Sequence, residues 1–65
     1  MKIKLNNIKV IDVHSRETGM DYYCNWCGKL MKAGRTVFYT VDIKEIYMKE
    51  FCSTVHVKNA AKANL

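Results

Sequence analysis

The sequence predicts a small α+β domain: short antiparallel strands and one C-terminal helix, held by a cluster of cysteine and histidine side chains. Three observations carry that prediction. Residues 8–14 and 36–41 are dominated by β-branched and aromatic side chains, which favour strands. Residues 54–64 follow a serine and become alanine-rich, the composition of a short capped helix. All three cysteines and one of the two histidines fall into two close pairs, Cys24 with Cys27 and Cys52 with His56.

The N-terminal region, residues 1–14, reads as strand material with a partial alternation through Ile8-Lys9-Val10-Ile11-Asp12-Val13-His14. Asn6-Asn7 interrupts it, so the region is either two short pieces or a hairpin. Residues 14–19 read as a polar loop. Tyr22 and Tyr23 lead into Cys24-Asn25-Trp26-Cys27-Gly28, where a glycine after the second cysteine suits a tight turn. In such a turn, backbone N–H groups can point at the sulfurs. Leu30 and Met31 are expected to return to the core, and Gly34 to mark a turn.

Residues 36–41 and 46–51, joined by a turn at 42–45, read as a β-hairpin between the two pairs. On its returning strand Ile46, Met48 and Glu50 share the expected inward face, with Phe51 drawn toward Cys52. Ser53 is the candidate N-cap of the final helix, and Val57, Ala60, Ala61 and Asn64 mark its inward side. At about three turns such a helix is marginal alone in water.

The spacing of the two pairs carries the chemistry. C-x2-C, twenty-four residues, then C-x3-H supplies the four ligands of a tetrahedral structural zinc site: Cys24, Cys27, Cys52 and His56. On a helix, Cys52 and His56 share a face one turn apart and reach the same ion. His14 offers an alternative fourth ligand, and C-x2-C also serves thiol–disulfide exchange. The second reading wants a βαβ context and leaves Cys52 and His56 unexplained. Four protein ligands leave no open position for water or substrate, which argues against metalloenzyme chemistry.

Order and motif together resemble a known family. Tyr23-Cys24-Asn25-Trp26-Cys27-Gly28-Lys29, the hairpin, and Tyr47-Met48-Lys49-Glu50-Phe51-Cys52-Ser53 are similar to the MYM/TRASH group of treble-clef zinc fingers. That group has a C-x2-C-G knuckle, a strand pair, and an aromatic-Cys-Ser segment opening a helix that bears the fourth ligand. The resemblance covers residues 22 to about 60 and implies a treble-clef-like core at 22–64, with an extra N-terminal strand at 1–14. Relatives usually end in cysteine, where this chain has His56. They bind RNA, bind protein partners or handle metal ions.

Size and charge bound the rest. Sixty-five residues make one domain, here 1–65, and a chain this short buries little surface and needs a staple. An odd cysteine count with a histidine at ligand spacing favours metal over disulfide and a reducing, cytoplasmic compartment. No apolar run is long enough for a signal peptide or a membrane span. The net charge of +5 falls by one when three thiolates bind Zn2+, and the remainder favours nucleic acid or an acidic protein surface.

Residues 22–41 contain Lys29, Lys32 and Arg35 and no acid, and residues 52–65 contain Lys58 and Lys62 and no acid. With Trp26, Tyr22 and Tyr39 nearby, these cations form the expected binding surface, provided the helix packs beside the knuckle. Trp26 lies between two ligands, where side chains often point outward; Phe38 and Tyr39 are expected in the core. No catalytic set and no small-molecule site is visible. The sequence thus predicts a non-enzymatic, zinc-stabilised module that binds nucleic acid or works within the transcription or translation machinery. The alternative is a protein-binding adaptor or inhibitor, such as a small viral or mobile-element factor acting on a host protein.

Overall fold

The computed structural model describes residues 1–64; Leu65, the last residue of the expected domain, lies outside the described residues. In chain order, the described residues form β1 (Lys2–Lys4), β2 (Val10–Glu17), β3 (Tyr22–Tyr23), β4 (Leu30–Met31), β5 (Thr36–Thr40), a 3-10 turn (Lys44–Ile46) and α1 (Thr54–Ala63). β1, β2 and β5 make an antiparallel sheet in that order, and β3 pairs with β4 in a separate small hairpin.

The N-terminal region is the hairpin form of its two readings, with Lys2 opposite Asp12 and Lys4 opposite Val10. Asn6 makes the turn: its Oδ1 accepts the N–H groups of Ile8 at 2.9 Å and Lys9 at 2.8 Å. A side chain that mimics a backbone acceptor is what Asn supplies in turns.

β2 then runs further than its composition suggests. The polar loop expected from residue 14 is strand as far as Glu17, paired with β5 from Val13 opposite Thr40 to Glu17 opposite Thr36. Ser15, Arg16 and Glu17 are weak strand formers, but β5 supplies a ladder, and pairing overrides propensity. Asp42 closes the far end of that ladder. Asp12 donates its N–H to Asp42 Oδ2 at 2.6 Å, and Asp42 donates its own to Thr40 Oγ1 at 3.2 Å. The Thr40 hydroxyl donates to the Asp12 carbonyl at 3.0 Å, so this fully buried side chain is satisfied.

The expected returning strand at 46–51 is corrected. Ile46 donates to the Ile43 carbonyl at 3.1 Å and Tyr47 to that of Lys44 at 3.2 Å. Residues three apart eclipse in a 3-10 turn, so Ile43 and Ile46 are both buried, whereas a strand would point them to opposite faces. Met48, expected inward, takes a left-handed φ of 62° and is exposed. Only Phe51 retains the strand contact: it and Phe38 exchange both backbone hydrogen bonds at 2.9 Å. The hairpin between the ligand pairs is thus one strand and one bridge. Glu50 and Phe51 are buried as expected.

In the knuckle hairpin, Tyr22 stands opposite Met31 and Tyr23 opposite Leu30. Neighbouring strand residues face opposite sides, so only one of each pair can turn inward. Met31 is buried, while Leu30, expected in the core, is exposed with Tyr23. Lys32-Ala33-Gly34-Arg35 forms the turn to β5, closed by Arg35 N–H to the Lys32 carbonyl at 3.1 Å. Gly34 sits at φ 90°, the third turn position where positive φ is required.

α1 begins as predicted: Ser53 Oγ accepts the His56 N–H at 3.3 Å. Val57, Ala60 and Ala61 are buried. Asn64, expected on the same side, is exposed; it ends the helix, its Nδ2 donating to the Ala60 carbonyl at 2.8 Å. The buried residues form one cluster that joins helix, sheet and knuckle through Val57, Val37, Phe51 and Met31.

Two positive-φ positions have opposite mutational signs. Gly34→Ala meets no steric neighbour but must hold a side chain at φ 90°, and costs about 1–2 kcal/mol. Met48→Gly relieves the same conformation at an exposed side chain and gains about 0.5–1 kcal/mol. Urea unfolding at saturating zinc measures both.

Candidate metal centre

Each ligand is delivered by a different local device. Cys24 ends the knuckle's first strand, its N–H bonded to the Lys29 carbonyl at 2.9 Å. Gly28 N–H returns to the Cys24 carbonyl at 3.0 Å, and Gly28 sits at φ 76°, so the turn that brings Cys27 back beside Cys24 needs a glycine there. Cys52 follows the Phe51 bridge, and His56 lies in the first turn of α1 beneath its Ser53 cap.

Backbone bonds set one pair against the other. Asn25, between the first two ligands, donates its N–H to the Glu50 carbonyl at 3.0 Å, and its side-chain Nδ2 donates there too at 3.0 Å. Glu50 itself is anchored: its Oε2 accepts from Arg16 Nη2 of β2 at 2.8 Å, and the Arg16 guanidinium lies over the Tyr22 ring at 5.7 Å. Arg16, Asn25 and Glu50 are positioning residues that the spacing of cysteines does not reveal. Their only sequence-level trace is an acid at an inward position of an apolar segment, which calls for a cationic partner.

The four side chains converge. Their ligand atoms all lie within 4.8 Å of one another. Cys27 Sγ is 3.6 Å from Cys52 Sγ, and His56 turns Nδ1 toward Cys24 Sγ at 3.6 Å and Cys52 Sγ at 3.0 Å. Tetrahedral zinc with ordinary bond lengths separates its ligand atoms by about 3.5–3.8 Å. The cluster therefore fits one structural zinc ion, with Cys52 and His56 parting by about half an ångström and the widest separation closing by about one ångström to receive it. Cys24 is buried, Cys52 and His56 are half-buried and Cys27 is exposed, so the site lies between core and solvent.

His14 stands outside this cluster; it is exposed, and its ring stacks on Tyr39 with centroids 5.5 Å apart. The alternative fourth ligand is thereby set aside.

The environment treats the thiols unequally. Burial pushes the Cys24 thiol up, but the amides of Cys27, Trp26 and Cys52 and the His56 ring outweigh it and hold its pKa at about 6. Two of those donors are direct, Cys52 N–H at 3.4 Å and Trp26 N–H at 3.5 Å from Cys24 Sγ. Burial pushes the Cys52 thiol up to about 11, reinforced by hydrogen bonds to Cys27 and Cys24 and by their negative charge. Without the ion, Cys24 favours the thiolate and Cys52 holds its proton.

The expected surface residues divide into two groups. Lys29, Lys32 and Arg35 are exposed on the knuckle hairpin and its exit turn, and Trp26 is exposed between its ligands. Lys58 is half-buried and Lys62 exposed on α1, two and six residues beyond His56. Helical spacing turns them about 200° and 240° from His56, away from the metal. Tyr22 is half-buried beside Arg16, and Phe38 and Tyr39 are half-buried. The exposed aromatic beside Trp26 in sequence is Tyr23, which composition alone did not separate from Tyr22.

Comparison of the chain with protein families, with characterised proteins and with solved structures finds no match. Among the described residues, no helix is long and apolar enough to cross a membrane.

Two outcomes follow from the site. Zinc must displace the Cys52 proton, so its apparent affinity rises with pH above about 6, by about tenfold per pH unit for each displaced proton. Competition with a chromophoric chelator, and proton release in weak buffer, measure this. Stripping the ion removes the His56 anchor of a ten-residue helix and leaves it only the Ser53 cap and the packing of Val57, Ala60 and Ala61, so the helical circular dichroism falls on chelation and is regained with one equivalent of Zn2+.

Proposed function

We propose that this protein is a non-catalytic, zinc-stabilised binding module whose partner is nucleic acid. The observation that carries the reading is the composition of the knuckle surface. Lys29, Lys32 and Arg35 are all exposed, exposed Trp26 lies three residues before Lys29, and no acid occurs in residues 22–41. Exposed cations next to an aromatic ring suit a partner that offers phosphates and base faces together. All four metal positions are filled by protein, which suits a structural ion better than a reactive one. The order of C-x2-C-G knuckle, β5, Phe51-Cys52-Ser53 and helix supports a treble-clef arrangement of the MYM/TRASH type, with His56 in place of the usual cysteine. A reducing, intracellular setting belongs to the same proposal, since three thiols serve the metal only while reduced.

A protein-binding adaptor is the second reading. Exposed Tyr47 and Met48, in the turn before Glu50, favour it, because they are apolar and lie outside the basic segment. Co-purification of one acidic protein that survives nuclease treatment would select this reading.

Nucleic-acid affinity falls as salt rises, with a slope of about −2 in log–log form if the three knuckle cations each neutralise a phosphate on a single strand. The double variant Lys32→Glu, Arg35→Glu weakens binding sharply while zinc content and melting temperature stay unchanged. Fluorescence anisotropy across a salt series checks this; affinity flat in salt removes the proposal.

A further inference from the structure

We infer that the knuckle hairpin is a stacking platform for an unpaired polynucleotide strand, built from Tyr23 and Trp26 with Leu30 beside them. This deepens the nucleic-acid reading and rests on it. Tyr23 is 67% exposed, Trp26 47% and Leu30 37%. Tyr23 and Leu30 are cross-strand partners on the outer side of the hairpin, opposite Tyr22 and the buried Met31. Trp26 follows three residues on, in the turn, and its Cα is within about 10 Å of that of Tyr23.

Eleven large apolar side chains are exposed among the described residues, and three of them, including the one tryptophan, fall within eight residues of one another. Charge states what kind of partner covers them. Lys29 adjoins Leu30, and Lys32 and Arg35 follow on the exit turn, all exposed. The nearest acid in sequence, exposed Asp21, accepts the Ala33 N–H at 2.8 Å, so it sits by the exit turn and offsets one of these three cations there. An apolar aromatic surface rimmed by cations fits a chain whose bases stack on the rings while its phosphates meet the lysines.

The same arrangement disfavours a duplex. In a duplex the base faces are already stacked on each other, and side chains reach phosphates and groove edges but not those faces. Groove reading needs an exposed element of suitable width, usually a helix. α1 is ten residues long, with Val57, Ala60 and Ala61 packed into the core and Lys58 half-buried. The exposed rings of the knuckle gain contact only from bases that are free to leave a stack.

The test uses the full chain loaded with zinc and three probes of equal length: oligothymidylate, oligouridylate and a mixed-sequence duplex. Trp26 is the only tryptophan, so its emission reports directly on stacking. The expected result is quenching on titration with the single strands, and weaker binding without quenching for the duplex. The two single-strand arms tell whether the sugar is read. Tyr23→Ala lowers single-strand affinity by about five- to a hundredfold at unchanged salt slope, whereas Lys29→Ala reduces the slope by about 0.7. Both sites are exposed, and zinc stoichiometry with melting temperature verifies that each variant is folded. Equal affinity for duplex and single strand, or a Tyr23→Ala variant that binds single strands as before, overturns the platform while leaving nucleic-acid binding intact. No binding to any probe, with capture of a protein only, overturns both.

Discussion

The position of Cys52 relative to the knuckle is the constraint on which the rest of this molecule depends. Two loops separated by twenty-four residues must present four ligand atoms within 4.8 Å, and a metal ion alone does not decide how they approach. Backbone hydrogen bonds do. Asn25 bonds to the Glu50 carbonyl, and one residue later Phe51 locks onto Phe38 of β5. These bonds seat the two ligand pairs against each other and against the sheet. Cys52 N–H then points at Cys24 Sγ, so the second pair solvates the charge of the first. Arg16 reaches from β2 to Glu50, which ties this register to a strand 34 residues earlier in the chain.

The division of labour follows from size. A chain of 65 residues has one small core, here a single cluster running from Leu5 to Ala61. Chains this short leave a large share of their surface wet and tend to be marginally stable. The core is concentrated where sheet, Phe51 and helix meet. The knuckle hairpin contributes Cys24 and Met31 to it and little else. Ligand convergence supplies there what side-chain burial supplies elsewhere. The unequal thiols express the same geometry: burial first, and then the neighbouring sulfurs, hold the proton on Cys52 until a dication arrives.

The legible parts of the fold were those fixed by local chemistry. Ligand spacing identified Cys24, Cys27, Cys52 and His56, because C-x2-C and C-x3-H each keep a ligand pair local, although Cys52 lies just before the Ser53 cap rather than on the helix as expected. Ser53 was readable as a cap, and Val57, Ala60 and Ala61 as the buried stripe. What was not legible depends on partners distant in sequence. Ser15, Arg16 and Glu17 look like loop until β5 is laid beside them. Residues 46–51 look like a strand by composition, yet burying both Ile43 and Ile46 requires a three-residue repeat. Tyr22 and Tyr23 are indistinguishable by type; only the register with Met31 and Leu30 assigns one to the core side and the other to water.

The exposed aromatic residues of the knuckle are intelligible on the same grounds. In most small domains a tryptophan is too valuable to the core to be left in solvent, since burying it contributes more than almost any other side chain. Trp26 lies between two metal ligands, and its backbone is already held by the knuckle's hydrogen bonds. Its side chain is therefore free to stay half exposed, as are those of Tyr23 and Leu30 on the outer side of a hairpin whose inner side carries Met31. A metal-held turn can display large apolar groups without relying on them, which a turn held by hydrophobic packing cannot do. The cost is exposure of apolar area to water, and that cost is recovered when something covers it. Because Lys29, Lys32 and Arg35 border the same segment, the covering group that recovers most is one carrying negative charge alongside flat apolar faces.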